Sequence, residues 1–266
     1  MIDPVALDGI SHLAFRLNTF SQGICPVVAS VIRLYLDHPL GAGQSVPLTR
    51  DQAHYLFGVM RRGQGDLIEV FDGQNGAWSA RIDEAGKRGG SLKCLEQVAE
   101  QRDPPDLWLL FAPIKKTRTD FIVEKAAELG AARICPVQTE FTNSERIRQD
   151  RLQAHAVEAA EQCGGTFVPE VADIARLRAV LDGWDPARRL MFCDERMVGA
   201  ASSLAAETPG AWAILIGPEG GFSEAERTRL HGMDAARPVS LGPRILRADT
   251  AAVAALTLWQ AALGDW

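Results

Sequence analysis

The chain of 266 residues is 47% hydrophobic and 23% charged, the composition of a globular protein with a sizeable core. With 28 Lys and Arg residues against 34 Asp and Glu residues, its net charge of −6 argues against a protein that coats nucleic acid through bulk charge, although a local basic patch is compatible with it. No apolar run is long enough to cross a membrane. The five cysteines form neither a CxxC pair nor a cluster with histidine, so we expect no bound metal and a reducing, cytoplasmic location.

The first 31 residues show little helical or strand periodicity. They lack the basic start and the continuous apolar stretch of a secretory signal. A loosely docked or disordered leader is the plain interpretation of residues 1–31. The alternative is that the natural chain starts near Val31, because the following residues, Ile32–Tyr35, resemble the opening strand of a domain.

Residues 32–103 alternate short β-rich runs with turn signals, which predicts a small β-barrel. Thr49 is expected to cap one short helix, and residues 86–90 are expected to form a loop. The double proline in Asp103-Pro104-Pro105-Asp106 is the best candidate for a linker to a second domain. The predicted strands are Leu67–Phe71, Ala77–Ile82 and Leu92–Val98.

Residues 104–266 alternate apolar strands with amphipathic helices, which predicts an α/β domain built on a mostly parallel sheet. The predicted strands cover residues 107–111, 133–137, 190–193, 212–216 and 239–241. The predicted helices cover residues 117–130, 146–163, 174–181, 223–230 and 250–263, the first of them capped by Thr117 with Asp120.

A glycine-rich turn, Gly217-Pro218-Glu219-Gly220-Gly221, joins the fourth of these strands to the helix that follows it. Small residues let a ligand approach the backbone, and ligands of open α/β sheets bind at the carboxyl ends of the strands. Ser223 and Glu226 have the spacing of a capping box. The turn matches neither a dinucleotide fingerprint nor a phosphate loop, and a purely structural turn remains the alternative.

A second turn, Gly242-Pro243-Arg244-Ile245-Leu246-Arg247, precedes the last helix. Its two arginines lie next to a helix N-terminus, so they could hold a phosphate or stabilise a developing oxyanion. The alternative is that Arg247 only pairs with Asp249 on the surface.

The two turns, Leu215–Gly221 followed by Leu241–Arg247, resemble the signature of the small-subunit rRNA uracil-N3 methyltransferases, which belong to the SPOUT class of knotted methyltransferases. Three more segments, all earlier in the chain, agree in order and spacing, and the resemblance covers about Ile32–Gly264. They are His54–Gly73, Asp120–Val137 and Glu158–Glu170.

This resemblance implies a PUA-like β-barrel that grips RNA, followed by a SPOUT-type α/β domain with a deep trefoil knot. It also implies a homodimer that uses S-adenosylmethionine to methylate a specific uridine of 16S rRNA in the small ribosomal subunit. The cofactor would bind in the loops of the knot, held largely by backbone groups. The residues that the resemblance assigns to cofactor binding are Leu215, Ile216, Gly217, Pro218, Glu219, Gly220, Leu241, Gly242, Ile245, Leu246 and Arg247.

Methylation at N3 of uracil requires loss of the N3 proton, which leaves negative charge on the two flanking carbonyl oxygens. We expect Arg247 to stabilise this charge or to position a phosphate, and Glu219 or Asp249 to accept the proton. The alternatives are that the proton is lost to solvent and that Glu219 has a structural role, as a hydrogen-bond partner of the backbone of the knot. Many members of the family have Glu where this chain has Asp249. The expected RNA contacts are Arg33, Arg61, Arg62 and Arg244, with Arg146, Arg148 and Arg151 as further basic candidates.

Two alternative functions remain within the same fold. The chain could methylate another rRNA or tRNA nucleotide, or it could be a non-catalytic RNA-binding relative. A nucleotide-dependent oxidoreductase is disfavoured, because no glycine fingerprint follows the predicted strand at residues 107–111.

Overall fold

The computed structural model describes residues 32–86, 88–143, 147–194 and 204–266. Residues 1–31, considered above as a leader, and Arg146, considered as a basic candidate, lie outside the described residues. Within the described ranges, no helix is both long enough and apolar enough to span a membrane.

The first part of the chain forms a mixed five-stranded sheet of order β1-β3-β4-β5-β2 around a single core. Only β1 and β3 pair in parallel. Thr49 caps α1 (Arg50–Ala53), as predicted, and the helix continues as a π-helical segment over His54–Val59. The strands are β1 (Arg33–Tyr35), β2 (Ser45–Pro47), β3 (Leu67–Phe71), β4 (Ala77–Gly86) and β5 (Gly89–Ala99).

The second part forms a parallel sheet of order β12-β10-β11-β6-β7-β8, with β9 beside β7. This confirms the predicted parallel α/β sheet. Its strands are β6 (Leu107–Phe111), β7 (Arg133–Gln138), β8 (Glu170–Val171), β9 (Ala175–Arg176), β10 (Arg189–Cys193), β11 (Trp212–Ile216) and β12 (Ala236–Val239). Its helices are α2 (Lys116–Glu128), α3 (Gln149–Cys163), α4 (Leu177–Asp182), α5 (Glu224–His231) and α6 (Ala248–Leu263).

Strand β11 shows how this sheet is covered on both faces, because every one of its residues is buried. Trp212, Ile214 and Ile216 pack into the core shared with α2, α3 and α6. The alternate residues, Ala213 and Leu215, pack into the opposite core with α4 and α5. The domain therefore has three layers, with helices on both sides of the sheet.

Several predicted boundaries were wrong by a few residues. Gly86 and Gly89, inside the loop expected at residues 86–90, instead pair with each other at the ends of the antiparallel strands β4 and β5, and β12 ends at Val239, where the predicted strand began. Helix α2 begins at Lys116, and Thr117 is not its cap. Asp120, the expected capping partner, is instead buried in an ion pair with Arg151 of α3.

Arg33 joins the first sheet to α3, and this geometry favours a structural role over the RNA contact expected from the sequence. Its Nε lies 2.6 Å from Oε1 of Glu69. Its terminal nitrogens donate to the carbonyl oxygens of Ala160 at 2.9 Å and Gly165 at 3.0 Å, at the C-terminal end of α3. A cation there satisfies carbonyls that the helix leaves unpaired and interacts favourably with the helix dipole.

Candidate functional site

A cavity of about 310 Å³ lies at the carboxyl ends of three adjacent strands. The last residues of β10, β11 and β12 (Cys193, Ile216 and Val239) all line it. Because the sheet order places β12, β10 and β11 side by side, the loops that leave these strands form one crevice. This is the position at which open α/β sheets bind ligands.

One wall of the cavity is the turn that follows β11. The Gly221 N–H donates to the Pro218 carbonyl oxygen at 2.9 Å, and Gly221 has φ +68°, a conformation that favours glycine. Ser223 then caps α5, and the Glu226 side chain completes the capping box, as predicted from the spacing. Glu219 is exposed on this wall.

Gly217 and Phe222 are packed closely in this wall. A Cβ at Gly217 would lie 2.8 Å from Cε2 of Phe222, so any other residue here would require the buried Phe222 ring to move. Phe222 is buried, lines the cavity and contacts Phe192 edge to face at a centroid distance of 5.1 Å.

The opposite wall is the segment from Ser240 to Arg247, continued by Ala248 and Ala251 of α6. Gly242 has φ +110° with no atom within 4 Å of its Cβ position, so backbone conformation rather than packing explains the glycine. Arg247 occupies the N-cap position of α6 and is exposed. Arg247 therefore lies at a helix N-terminus, where the helix dipole already favours negative charge.

Nine of the eleven residues assigned to cofactor binding from the sequence line this cavity. The two others do not. Leu215 is fully buried and points into the core beneath α4 and α5. Gly220 lies on the far side of its turn, where a Cβ would lie 3.3 Å from Cβ of Phe141.

Asp249, one of the two candidate bases, is held by Arg118 and is not part of the cavity lining. The two side chains form an ion pair at 3.1 Å, and the Asp249 side chain is 18% exposed. This geometry argues against proton transfer by Asp249. The surface pair between Arg247 and Asp249 that we considered as an alternative does not occur among the described ion pairs.

Sequence reasoning missed a polar group on the cavity wall. Asp194, directly after β10, forms a buried ion pair with Arg227 of α5, and its second oxygen lies 3.1 Å from Nε2 of His231. An acidic residue just beyond a buried strand was the available signal for Asp194. Neighbouring Cys193 also lines the cavity, and burial raises the pKa of its thiol to about 12, which favours the protonated form.

The other expected RNA contacts differ in their surroundings. Arg61 is exposed with φ +53°, and Arg244 is exposed on the rim of the cavity. Arg62 is half-buried, and its Nε has no hydrogen-bond partner among the described residues. Arg148 pairs with Asp150 on the surface. In the same described part of the chain, no group of three or more His, Cys, Asp or Glu residues has metal-binding geometry.

Comparison with known families matches two parts of the chain. A model described as an RNA methyltransferase domain matches residues 101–260, and one described as an RNA methyltransferase PUA domain matches residues 48–93. The first match covers more than half of the chain.

Individual proteins agree with these models. Ribosomal RNA small subunit methyltransferase E of Synechocystis is 34% identical over 80% of this chain and 71% of its own. The protein of the same name from Rickettsia conorii is 27% identical over 84% of this chain and 93% of its own. The crystal structure of the Neisseria gonorrhoeae protein of that name, bound to S-adenosyl methionine, has a TM-score of 0.81 and 30% identity, covering 89% of this chain and 99% of its own.

Proposed function

This chain belongs to the RNA methyltransferase family whose model matches residues 101–260, and we propose that it methylates ribosomal RNA of the small subunit with S-adenosylmethionine as methyl donor. The observation that carries the proposal is the cavity between the two turns, because nine of the residues that the family resemblance assigns to the cofactor lie on its walls. The finer assignment, N3 of one uridine in 16S rRNA, rests on the resemblance of the same two turns.

The walls of the cavity suit S-adenosylmethionine. A volume of about 310 Å³ falls at the lower end of the range of about 300–1,000 Å³ typical of small-molecule sites. Apolar side chains of Ile216, Leu241 and Phe222 suit an adenine ring, and the backbone of the two glycine turns can approach polar groups closely. The exposed carboxylate of Glu219 suits a ligand that carries positive charge.

The residues at the rim have separate roles in the proposed reaction. When bound, S-adenosylmethionine supplies an electrophilic methyl group on a sulfonium centre. Arg247 stabilises the negative charge that uracil acquires on its carbonyl oxygens as the N3 proton leaves. Glu219 accepts this proton, because it is exposed on the cavity wall whereas Asp249 is paired with Arg118.

We propose that residues 32–103 form an RNA-binding domain and that residues 104–266 form the methyltransferase domain. Arg61 and Arg62 on the first domain and Arg244 at the rim of the cavity are exposed or half-exposed cations that suit RNA phosphates. Arg33 is left out of this set, because its guanidinium is engaged at the end of α3.

We also propose that the protein is a cytoplasmic homodimer. Helix α6 is apolar on its outer face as well as its inner one, since Leu258 is 48% exposed and Ala261 and Ala262 are exposed. Phe121 of α2, the helix that packs beside α6, is 39% exposed. A helix that is apolar all round is normally covered, and a second copy of this face is the cover implied by the resemblance.

The proposal is tested with small ribosomal subunits from a strain that lacks this protein. Purified protein and methyl-labelled S-adenosylmethionine are added, and the rRNA nucleosides are identified by mass spectrometry. Labelled 3-methyluridine supports the proposal, and subunits from the parent strain, already modified, should accept no label. Label in another nucleoside would overturn the N3 assignment, and no label at all would overturn the methyltransferase assignment for this substrate.

A further inference from the structure

Arg227 bridges two elements of the cavity wall from a buried position in α5. Its side chain is 5% exposed and lies among the lining residues. Nε donates to the Phe222 carbonyl oxygen at 3.1 Å, and Nη1 donates to Oδ1 of Asp194. One guanidinium therefore connects the end of β10 with the end of the glycine turn that follows β11.

The carbonyl held by Arg227 belongs to the residue that shapes the turn. The Phe222 ring occupies the space in which a side chain at position 217 would lie, and it packs against Phe192 of β10. Fixing the Phe222 backbone therefore also fixes the path of the chain around Gly217. His231 supports the same arrangement, because its ring contacts both Asp194 and Phe192.

We infer that Arg227 is a positioning residue for cofactor binding, which acts by holding Asp194 and the Gly217–Phe222 turn in the geometry that the cofactor meets. The inference rests on the proposed function, since it takes the cavity as the S-adenosylmethionine site. A buried ion pair is weak support for stability by itself, because desolvation offsets most of the attraction. Because the Arg227–Asp194 pair lies on the cavity wall, it can also position groups that meet the cofactor, which an ion pair elsewhere in the core could not do.

Arg188 provides a matched control, because it is also a buried arginine that joins a carboxylate to a backbone carbonyl. Its side chain is 10% exposed, and its terminal nitrogens donate to Asp106 and to the Trp212 carbonyl oxygen, both at 2.9 Å. Trp212 begins β11, so Arg188 lies at the amino-terminal end of the sheet, away from the cavity.

The test measures S-adenosylmethionine affinity by isothermal titration calorimetry on the full chain and on the variants Arg227→Met, Arg227→Lys, Asp194→Asn and Arg188→Met. Thermal melts confirm that each variant is folded at the titration temperature. We expect Arg227→Met to weaken binding by about 10- to 100-fold, by analogy with the loss of affinity when a group that orients metal ligands is removed. Arg227→Lys keeps the charge but cannot reach both Asp194 and the Phe222 carbonyl oxygen. Its affinity for S-adenosylmethionine should lie between those of Arg227→Met and the natural chain.

The outcomes separate this inference from the proposed function. Arg188→Met should lower the melting temperature while leaving cofactor affinity within about 3-fold of the natural chain. Unchanged affinity in folded Arg227 variants would overturn the inference and leave the proposed function intact. Absence of binding by the natural chain would overturn the proposed function itself. If Arg227→Met does not fold, Arg227→Lys and Asp194→Asn decide the question by the same criterion.

Discussion

Arg118 and Asp249 connect the first turn of α2 to the first turn of α6. Nη1 of Arg118 donates to both carboxylate oxygens of Asp249, at 3.1 and 3.3 Å. Asp249 lies two residues after Arg247, between the lining residues Ala248 and Ala251, so the pair anchors the helix that Arg247 caps.

From this pairing we predict that Asp249→Asn affects stability more than chemistry. Losing a half-buried ion pair and an acid at a helix N-terminus should lower the free energy of unfolding by about 1 kcal/mol. The kcat for rRNA methylation should stay within about 3-fold. Glu219→Gln, by comparison, should lower kcat by about 100-fold, because it removes the proposed proton acceptor. Denaturant melts and single-turnover assays measure the two effects, and a reversed order of the two kcat losses would contradict this assignment.

The two arginines of the second turn should differ in kinetic effect. Arg247→Ala should lower kcat by about 100-fold, the loss expected when a group that stabilises transition-state charge is removed. Arg244→Ala should instead raise KM for small subunits with little change in kcat, because a phosphate contact contributes to binding alone. Steady-state kinetics at several salt concentrations distinguish the two. Equal kcat losses in both variants would show that the turn is needed as a whole.

Arg61 is the one residue other than glycine with positive φ in the described part of the chain. We predict that Arg61→Gly stabilises the protein by about 1 kcal/mol, equivalent to about 2–4 °C in Tm, because glycine adopts this conformation without strain. The same change should weaken binding to small subunits and reduce the salt slope by about one. Arg61→Lys should keep both natural values. A stabilised variant with undiminished RNA affinity would remove Arg61 from the RNA surface.

The apolar outer face of α6 gives a prediction about assembly. Leu258→Arg should convert the proposed dimer to a monomer, because a charged side chain in a buried apolar interface is strongly unfavourable. Light scattering coupled to size-exclusion chromatography measures the molar mass. Leu95→Arg, at an exposed leucine of the first sheet, is the control and should stay dimeric. A natural chain that runs as a monomer at micromolar concentration would argue against the dimer itself.

Glu161 makes stability depend on pH. Burial raises its pKa, and nearby Glu158 adds to the rise, while the hydrogen bond from the Tyr35 N–H and the charge of Arg33 offset it only in part. Because the folded-state pKa is raised, the contribution to stability is full below the ordinary Glu value of about 4.3 and is lost as pH rises through the raised pKa.

Glu161→Gln keeps an oxygen that can accept the Tyr35 N–H, which lies 2.9 Å from Oε1 of Glu161, but it cannot ionise. We therefore expect the variant and the natural chain to have similar melting temperatures near about pH 4. The variant should become the more stable of the two as the pH approaches about 7. Thermal melts in small pH steps measure this difference. The prediction would be contradicted if the melting temperature of the natural chain rose relative to that of the variant with increasing pH.

The sequence predicts best where one physical requirement acts alone. Strands β6 and β11 were located to the residue, because a strand buried on both faces must be a short, continuous apolar run. The predicted position of β12 was wrong, because Arg237 and Pro238 within this strand are residues typical of a loop. An edge strand of a sheet tolerates both residues, and edge position is a property of the tertiary structure.

The same distinction holds at the candidate site. The two turns were visible because walls made of backbone require glycine and proline. Asp194 and Arg227 were not, because they are 33 residues apart and meet only when β10 and α5 pack together. Leu215 was assigned to cofactor binding because it belongs to the motif. Side chains along β11 point alternately to the two faces of the sheet, however, and that of Leu215 points away from the cavity. The trefoil knot stays a prediction of the resemblance, since no local pattern encodes how the chain crosses itself.

The positions of the paired strands along the chain also determine when each proposed activity can arise during synthesis. Pairing within the first sheet involves only residues 33–99, so these strands can associate early. The cavity instead needs β11 beside β10, β12 beside β10, and the turn before α6, all from the last third of the chain. Because the chain is synthesised from its N-terminus, these pairings can form only after the first sheet is complete. A chain released before Arg247 would therefore contain the proposed RNA contacts Arg61 and Arg62 without the residues proposed for methyl transfer.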